Sequence, residues 1–96
     1  MDLGKIIKNY RKAKKLTQEE FASLCGITQT YLSQIESNSK EPNLSTLKEI
    51  SSQLEIPLPI LFFLSLNDED LNPEKKELFL SLSPKIKNLV NEYFEF

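Results

Sequence analysis

Residues 17–36 read TQEEFASLCGITQTYLSQIE, and this stretch decides the fold. Thr17 is a natural helix N-cap, and Glu20 three residues later completes a capping box. Apolar residues follow at helical spacing: Phe21, Ala22, Leu24 and Cys25. Gly26 stands where this first helix must stop, because glycine adopts a left-handed backbone at little cost. The stretch therefore predicts two short helices joined by a tight turn at residues 25–27.

The second helix of this stretch separates apolar from polar side chains. Thr28 can serve as its N-cap. Leu32 and Ile35 point to one side of the helix. The side chains that point mostly to the other side are polar: Gln29, Thr30, Ser33 and Gln34.

This layout resembles the helix-turn-helix of the phage repressor/Cro (XRE-type) family of DNA-binding proteins. The matches occur at fixed offsets and comprise Gln18, Ala22, Gly26, Leu32 and Ile35. The resemblance covers roughly residues 3–66. It implies an all-α fold, a five-helix repressor-like DNA-binding bundle, with one or two further helices after it. The alternative is an ordinary helical hairpin in a small all-helical domain.

Two further expectations come with the resemblance. In this family an arginine seven residues before the motif glutamine often pairs with an acidic residue that ends the recognition helix. Arg11 and Glu36 occupy those positions, which implies a buried, structural ion pair. Lys15 stands where the family commonly has glycine, so it either adopts a left-handed backbone, at a cost on the order of 1 kcal/mol, or the turn differs. Asn38 replaces another common glycine, and asparagine is the next best residue for that conformation.

In this fold the second helix of the motif enters the DNA major groove. The expected base contacts are Gln29, Thr30, Tyr31, Ser33 and Gln34, and a glutamine amide suits the N6 and N7 edge of adenine. Tyr31 has an alternative role in packing beside Ile35. The expected phosphate contacts, which set register only, are Gln18, Thr28, Asn38, Ser39 and Lys40. For residues 38–40 a plain solvated loop is an equal alternative.

Composition excludes several classes of protein. Apolar residues make up 40% of the 96 residues and charged residues 27%, as in ordinary soluble single domains. A single cysteine excludes an intramolecular disulfide and a multi-cysteine zinc site, and the absence of histidine removes the commonest metal ligand and the commonest general base. With no phosphate-binding loop and no nucleophile elbow, we expect no enzyme, no cofactor and no metal. No signal peptide or membrane-spanning run is visible, so the expected location is the cytoplasm.

Charge divides the chain into two parts. Residues 1–45 carry seven basic and five acidic side chains, a net charge of +2, whereas residues 46–96 carry five basic and nine acidic, a net charge of −4. A negative C-terminal half is repelled by phosphate and should face away from DNA. The expected domains are a DNA-binding unit at 1–66 and a C-terminal helical extension at 67–96.

The C-terminal half is more apolar than a surface requires. A fifth helix beginning near Pro57 is apolar nearly all round, so a second layer should cover it. Asn72-Pro73 and Ser83-Pro84 predict the starts of a sixth and a seventh helix. These helices are expected to form a dimer interface through Phe62, Phe63, Leu64, Phe79, Leu89, Val90, Tyr93 and Phe94. The alternative is that the tail folds back onto its own chain and forms part of that chain's core.

Together these features predict a sequence-specific transcriptional regulator, a repressor or a controller-type protein. We expect it to bind a palindromic operator in double-stranded DNA as a homodimer, because one helix reads too few base pairs. The alternative is a protein-interaction adaptor or an antitoxin, whose C-terminal helices bind a partner protein such as a toxin or an anti-repressor.

Overall fold

Six α-helices and one short 3-10 turn form the part of the chain that a computed structural model describes, residues 1–94 without the side chains of Asp68 and Phe94. The helices are α1 (Leu3–Ala13), α2 (Gln18–Cys25), α3 (Gln29–Glu36), α4 (Leu44–Leu54), α5 (Leu58–Ser65) and α6 (Pro73–Phe94), and the 3-10 turn is Asp68–Asp70. These residues contain no strand. The prediction of an all-α bundle with a helix-turn-helix, formed by α2 and α3, is confirmed.

Side-chain caps begin the first four helices. Asp2, Thr28 and Asn43 each accept a hydrogen bond from the backbone N–H three residues later. The predicted capping box of α2 is complete, because Glu20 N–H donates to Thr17 Oγ1 at 3.1 Å and Thr17 N–H donates to Glu20 Oε1 at 3.0 Å. Each cap satisfies a backbone donor that the first turn of a helix leaves without a partner.

Four described residues adopt a left-handed backbone conformation, and each lies one or two residues after the end of a helix. Gly26 has a φ of 70° after α2, and Asn38 and Lys15 each have a φ of 60°. Lys15 therefore adopts the first of the two conformations expected for it. Glu55 is a further left-handed residue, at the C-terminus of α4. Its side chain offers no sequence signal for this conformation, which is uncommon outside glycine, asparagine and aspartate.

One apolar core joins the first five helices. Its fully buried members come from every one of these helices and from the α4–α5 connection: Ile7, Phe21, Leu32, Ile35, Ile50, Leu54, Ile56 and Leu61. Leu24, which the helical pattern assigned to the apolar face of α2, is instead 52% exposed. It lies near the end of a short helix, where spacing alone does not determine which side faces the core.

The C-terminal region is one helix, not two. Helix α6 runs through Pro84 over 22 residues, so the predicted break at Ser83-Pro84 is wrong. A proline removes one backbone hydrogen bond within a helix, but it does not end a helix that is held on both sides of it. Phe79 packs edge-on against Phe63 of α5, with ring centroids 6.4 Å apart. Near the other end, Tyr10 Oη donates to Asn91 Oδ1 at 2.7 Å.

Candidate nucleic-acid interface

Helix α3 presents a polar outer face, here called the reading face: Gln29, Thr30, Tyr31, Ser33 and Gln34. Its opposite side is fixed in the core by Leu32 and Ile35, which are fully buried. Gln29, Thr30 and Ser33 are exposed, and Tyr31 and Gln34 are partly buried. The side chains of the two glutamines make no hydrogen bond to any residue that the structure describes. Their amide donors and acceptors can therefore meet a ligand without breaking a contact.

A buried ion pair holds α3 against α1. Arg11 Nε donates to Glu36 Oε2 at 2.7 Å, and Arg11 Nη2 donates to Glu36 Oε1 at 3.1 Å. Arg11 and Glu36 are only 5% and 7% exposed. Arg11 Nη1 also donates to the carbonyl of Leu16 at 2.7 Å, in the α1–α2 connection. The ion pair expected from the resemblance is thus present, and it connects α1, the turn that follows α1 and the C-terminus of α3.

The same carboxylate engages Gln18 at the start of α2. Gln18 Nε2 donates to Glu36 Oε1 at 3.0 Å. A glutamine amide has two N–H donors, so one is used inside the protein. Gln18 therefore ties α2 to α3, and of its side-chain groups only the second amide N–H is a candidate for a phosphate contact. This task was not expected from the sequence, because the partner lies eighteen residues away.

The loop after α3 is held by Asn38. Its Oδ1 accepts from Gly4 N–H at 3.1 Å, and its Nδ2 donates to Asp2 Oδ1 at 2.8 Å. Its own backbone N–H donates to the carbonyl of Ile35. As with Gln18, only the second amide N–H of Asn38 remains for the phosphate contact expected of it.

The start of α1 passes close to the end of α3 at Gly4, and this brings Asn38 within hydrogen-bonding distance of Gly4 and Asp2. A Cβ atom placed on Gly4 would lie 2.7 Å from both Asn38 Oδ1 and the carbonyl oxygen of Glu36. Only glycine lets α1 come so near the end of α3. A glycine inside an otherwise amphipathic helix is disfavoured relative to alanine, so Gly4 was the available signal for this contact. Neither Gly4 nor Asp2 was among the residues predicted from the sequence.

Three residues keep chemistry suited to phosphate at the edges of α3. Thr28 Oγ1 accepts from Tyr31 N–H, and its hydroxyl proton remains able to donate. The hydroxyls of Ser39 and Ser37 share one hydrogen bond of 2.7 Å, in which either can be the donor, and Ser39 keeps its proton for phosphate when Ser37 donates. The backbone N–H groups of Ser39 and Lys40 both donate to the carbonyl of Gln34, so only the side chains of these two residues face outward as donors.

The residues predicted for a dimer interface differ in how far their side chains are exposed in the single chain. Leu64 is only 4% exposed within the single chain, so it belongs to the interior and is withdrawn as a surface contact. Phe62, Phe63, Phe79 and Val90 are partly buried. Leu89 and Tyr93 are 64% and 82% exposed. The side chain of Phe94 lies outside the part of the chain that the structure describes.

Among the residues that the structure describes, no group of three or more histidine, cysteine, aspartate or glutamate side chains is placed to hold a metal ion. Burial raises the pKa of the Cys25 thiol to about 11, with a smaller contribution from the charge of Glu49. Such a thiol is protonated at neutral pH and a poor nucleophile. No helix of the described part is both long enough and apolar enough to cross a bilayer.

Comparison with known proteins agrees with this geometry. The family model described as Helix-turn-helix (HTH_3) matches residues 7–61, which is more than half of the chain and includes α2 and α3. The chain belongs to this helix-turn-helix family. The fold and the resemblance inferred from residues 17–36 are thereby confirmed, and membership of a family of DNA-binding regulators supports the absence of an enzymatic role.

Relatives within the family include two proteins of Bacillus phage phi105. The ImmF control region 10 kDa protein is 41% identical over 59 residues, which cover 62% of this chain and 66% of that protein. The immunity repressor protein is 39% identical over 56 residues, 58% of this chain and 39% of that protein. The matched region thus spans less than two thirds of either relative.

A solved structure extends the likeness to nearly the whole chain. The SinR protein in a SinR/SinI complex superposes with a TM-score of 0.62 at 30% sequence identity, and the match covers 97% of this chain and 91% of that one. The helical region that follows the helix-turn-helix is therefore included in the similarity.

Proposed function

We propose that this helix-turn-helix protein is a sequence-specific DNA-binding regulator of transcription, of the repressor or controller type. It reads a palindromic operator as a homodimer, with α3 of each copy in the major groove. Residues 1–66 contain the DNA-binding unit, and residues 67–96 supply the contact between copies. The observation that carries this proposal is the reading face, because Gln29, Thr30 and Ser33 are exposed on it while α1 and α2 are both hydrogen-bonded to Glu36 at the end of α3.

Charge and hydrogen bonding assign different tasks to the residues of this surface. Gln29 and Gln34 are the principal base readers, since each amide can pair with the N6 and N7 edge of an adenine, worth about 1–3 kcal/mol of discrimination. Thr30, Ser33 and Tyr31 supply hydroxyls and apolar contacts. Phosphate contacts come from Thr28, Ser39, Lys40 and the second amide N–H of Gln18, which fix the register of α3 without reading sequence.

The relatives support regulation as the biological outcome. One is named as an immunity repressor, and a protein of similar structure was solved as SinR in complex with SinI. One reading helix per site cannot distinguish an operator from the many competing sites of a genome, so two copies on inverted half-sites are required.

Selection of bound sites from random double-stranded DNA tests this proposal. We expect an inverted repeat whose half-sites are separated by about one helical turn, roughly 34 Å. The double variant Gln29→Ala/Gln34→Ala should lose the sequence preference and keep weak, salt-sensitive binding to any duplex. Gln53→Ala is the matched control, because Gln53 lies in α4 and donates to Glu49 rather than facing the reading surface.

If the double variant selects the same sites as the parent protein, the assignment of base reading to Gln29 and Gln34 is wrong. If the parent protein itself enriches no sequence, a second candidate replaces the regulator: an adaptor or antitoxin that binds a partner protein. That candidate is favoured by the apolar surface of α6 and by the likeness to a SinR/SinI complex. It predicts no enriched sequence at all in the selection.

A further inference from the structure

The chain after α3 turns back onto the last turn of that helix. The carbonyl oxygen of Gln34 accepts hydrogen bonds from the backbone N–H groups of Ser39 and Lys40, at 2.8 and 3.2 Å. The last carbonyls of a helix have no partner within the helix, so donors from outside it complete their hydrogen bonding. We call residues 37–40 the closing loop. Its position sets the backbone from which the side chain of Gln34 leaves α3.

Asn38 joins the closing loop to the start of α1. Its Oδ1 accepts from Gly4 N–H at 3.1 Å, and its Nδ2 donates to Asp2 Oδ1 at 2.8 Å. The same Asp2 oxygen accepts from Lys5 N–H at 3.1 Å as the cap of α1. We call the contacts of Asn38 with Asp2 and Gly4 the Asn38 bridge. One carboxylate oxygen therefore holds both a helix start and a loop that lies thirty-six residues further along the chain.

Asp2 is the fixed side of this bridge. Its backbone N–H donates at 2.9 Å to the carbonyl of Ser65, which is only 2% exposed at the end of α5. Asn38, by contrast, is exposed and has a φ of 60°, a backbone conformation that is costly for a residue with a side chain. The hydrogen bonds to the start of α1 offset that cost and hold the closing loop in one position.

We propose that Asp2 is a positioning residue that determines specificity: through Asn38 it holds the closing loop, and the closing loop orients Gln34 toward its base pair. This inference rests on the proposed function, in which Gln34 reads DNA. Asp2 itself has no favourable contact to make with the DNA backbone, because a carboxylate and a phosphate repel each other. Its effect on reading therefore passes through the closing loop.

The geometry limits this effect to one end of α3. Gln29 lies in the first turn, where Thr28 caps the helix by accepting from Tyr31 N–H at 3.0 Å. Gln34 lies five residues later. That separation is about 7.5 Å along the helix axis, or about two base-pair steps of roughly 3.4 Å. The two glutamines are therefore expected to read different base pairs, and only the one read by Gln34 depends on the Asn38 bridge.

A purely structural role for Asp2 makes a different prediction. If Asp2 only caps α1, its loss destabilises the fold and weakens binding to every DNA sequence by a similar factor. A role in positioning Gln34 instead changes the preference at one base pair. Affinity for random duplex then does not fall when Asp2 is replaced, because a negative charge near phosphate has been removed.

Three variants of the full chain separate the bridge from the cap and from the charge. Asn38→Gly removes the bridge and leaves the cap of α1, and glycine adopts the left-handed backbone of this position at little cost. Asp2→Ala removes bridge, cap and charge together. We call these two the bridge variants. Asp2→Asn is the matched control, because its amide oxygen can still accept from Lys5 N–H and from Asn38 and only the charge is lost.

Selection of bound sites from random double-stranded DNA measures the preference at each base pair. The single variants Gln29→Ala and Gln34→Ala first identify the base pair that each glutamine reads. At the base pair read by Gln34, both bridge variants should lower discrimination by at least about fivefold, the low end for loss of one bidentate amide contact. Discrimination at the base pair read by Gln29 should not change, and Asp2→Asn should match the parent protein at both base pairs.

Hydrogen exchange of backbone amides gives a second readout, which is made without DNA. The N–H groups of Ser39 and Lys40 should exchange at least about fivefold faster in the bridge variants than in the parent, since the bridge no longer opposes opening of the closing loop. In Asp2→Asn they should exchange as in the parent. The N–H of Tyr31, in the first turn of α3, is the internal reference and should be unaffected in every variant.

The inference and the proposed function fail in different ways. If the parent protein enriches no sequence, or if Gln34→Ala keeps the parent preference at every base pair, base reading by Gln34 is wrong and the role of Asp2 fails with it. If the bridge variants read that base pair as well as the parent, or lose preference equally at the base pair read by Gln29, only the role of Asp2 is overturned. Unchanged exchange at Ser39 and Lys40 in the bridge variants also overturns it.

Discussion

Among single residues, Arg11 and Glu36 have the widest structural influence, because their ion pair joins α1 to the end of the helix that carries the reading face. Glu36 also accepts a hydrogen bond from Gln18, and Arg11 also donates one to the carbonyl of Leu16. A buried ion pair of this kind adds little stability in comparison with apolar residues of the same volume. Its effect is to fix the position of α3, and breaking only one half leaves a charge in the interior.

The first prediction follows from that asymmetry. Glu36→Ala or Arg11→Ala should lower the free energy of unfolding by about 3–5 kcal/mol, because the remaining charge is buried without a partner. The double variant Arg11→Met/Glu36→Leu should cost much less than the sum. Urea unfolding followed by circular dichroism measures all four proteins.

Lys14→Ala serves as the control for this series. Lys14 Nζ lies 3.8 Å from Glu55, whose side chain is largely exposed, so its loss should cost less than about 1 kcal/mol. Equal losses for Lys14→Ala and Glu36→Ala would contradict the account of the buried pair.

The two glycines of the chain lead to a second prediction, since each is required for a different reason. Gly4→Ala should lower the free energy of unfolding by about 1–3 kcal/mol, because the new methyl group meets the backbone at the end of α3. Gly26 has open space around it but a φ of 70°, so Gly26→Ala should cost about 1–2 kcal/mol through backbone strain alone.

Asparagine distinguishes these two causes. Gly26→Asn should recover part of the loss at position 26, because asparagine tolerates the left-handed conformation. Gly4→Asn should be no better than Gly4→Ala. If asparagine helped at both positions, steric exclusion at Gly4 would not be the cause.

Among the helices, α1 and α2 begin with caps that use the carboxylates of Asp2 and Glu20, so their first turns are sensitive to acid. The hydrogen bond from Asn38 lowers the pKa of Asp2, with a further contribution from the Lys5 backbone N–H, and the Thr17 backbone N–H lowers the pKa of Glu20. A carboxyl with a lower pKa in the folded chain stabilises the fold above its unfolded pKa. That contribution is lost as the pH falls through the folded pKa.

The third prediction is therefore a loss of stability below about pH 4, where unfolded aspartate and glutamate begin to bind protons. Chemical unfolding at pH 7 and at pH 3 should show a smaller difference for Asp2→Asn/Glu20→Gln than for the parent. Both replacements keep the capping geometry and remove only the titration. An unchanged pH dependence would assign the acid sensitivity to other carboxyls.

The fourth prediction concerns Pro84 within α6. This residue has no N–H to donate to the preceding turn, so its helix lacks one internal hydrogen bond. Pro84→Ala should increase the free energy of unfolding by at least about 1 kcal/mol and raise the helix content. Thermal unfolding by circular dichroism provides the measurement. A decrease would show that Pro84 helps to keep α6 packed against α1 and α5.

Across the whole molecule, the two halves of the chain differ in net charge. The N-terminal half has a net charge of +2 and the C-terminal half −4, so a phosphate backbone is attracted to one and repelled by the other. The reading face itself is uncharged. Affinity for DNA in the proposed function therefore depends on a few lysines at its edges, whereas specificity depends on amides and hydroxyls.

The fifth prediction uses this separation. Lys40→Ala should weaken binding to operator and random duplex by similar factors, and should reduce the slope of log K against log salt by about 0.9 per protomer. Lys48→Ala, in the middle of α4, should leave the slope unchanged. Fluorescence anisotropy between low and moderate salt measures both. A loss confined to the operator would instead make Lys40 a base-reading residue.

Much of the fold could be predicted from local chemistry. Caps and the turn glycine are short-range signals, so Thr17, Glu20, Gly26 and Thr28 located α2 and α3 correctly. Errors arose where a long-range contact overrode a local pattern. Pro84 was read as a helix start, but α6 continues through it because both of its halves contact other helices.

The sequence by itself determined the class of fold, the motif and the identity of the outward residues of α3, because helical periodicity and capping depend on neighbours within one or two turns. Only the tertiary structure decided which polar groups remain for a ligand. Asn38 is used by Asp2 and Gly4, and one N–H of Gln18 is used by Glu36, while the leucines of α6 are left exposed. The physical reason is that a hydrogen bond or an apolar contact depends on distance in space, and these partners lie far apart along the chain.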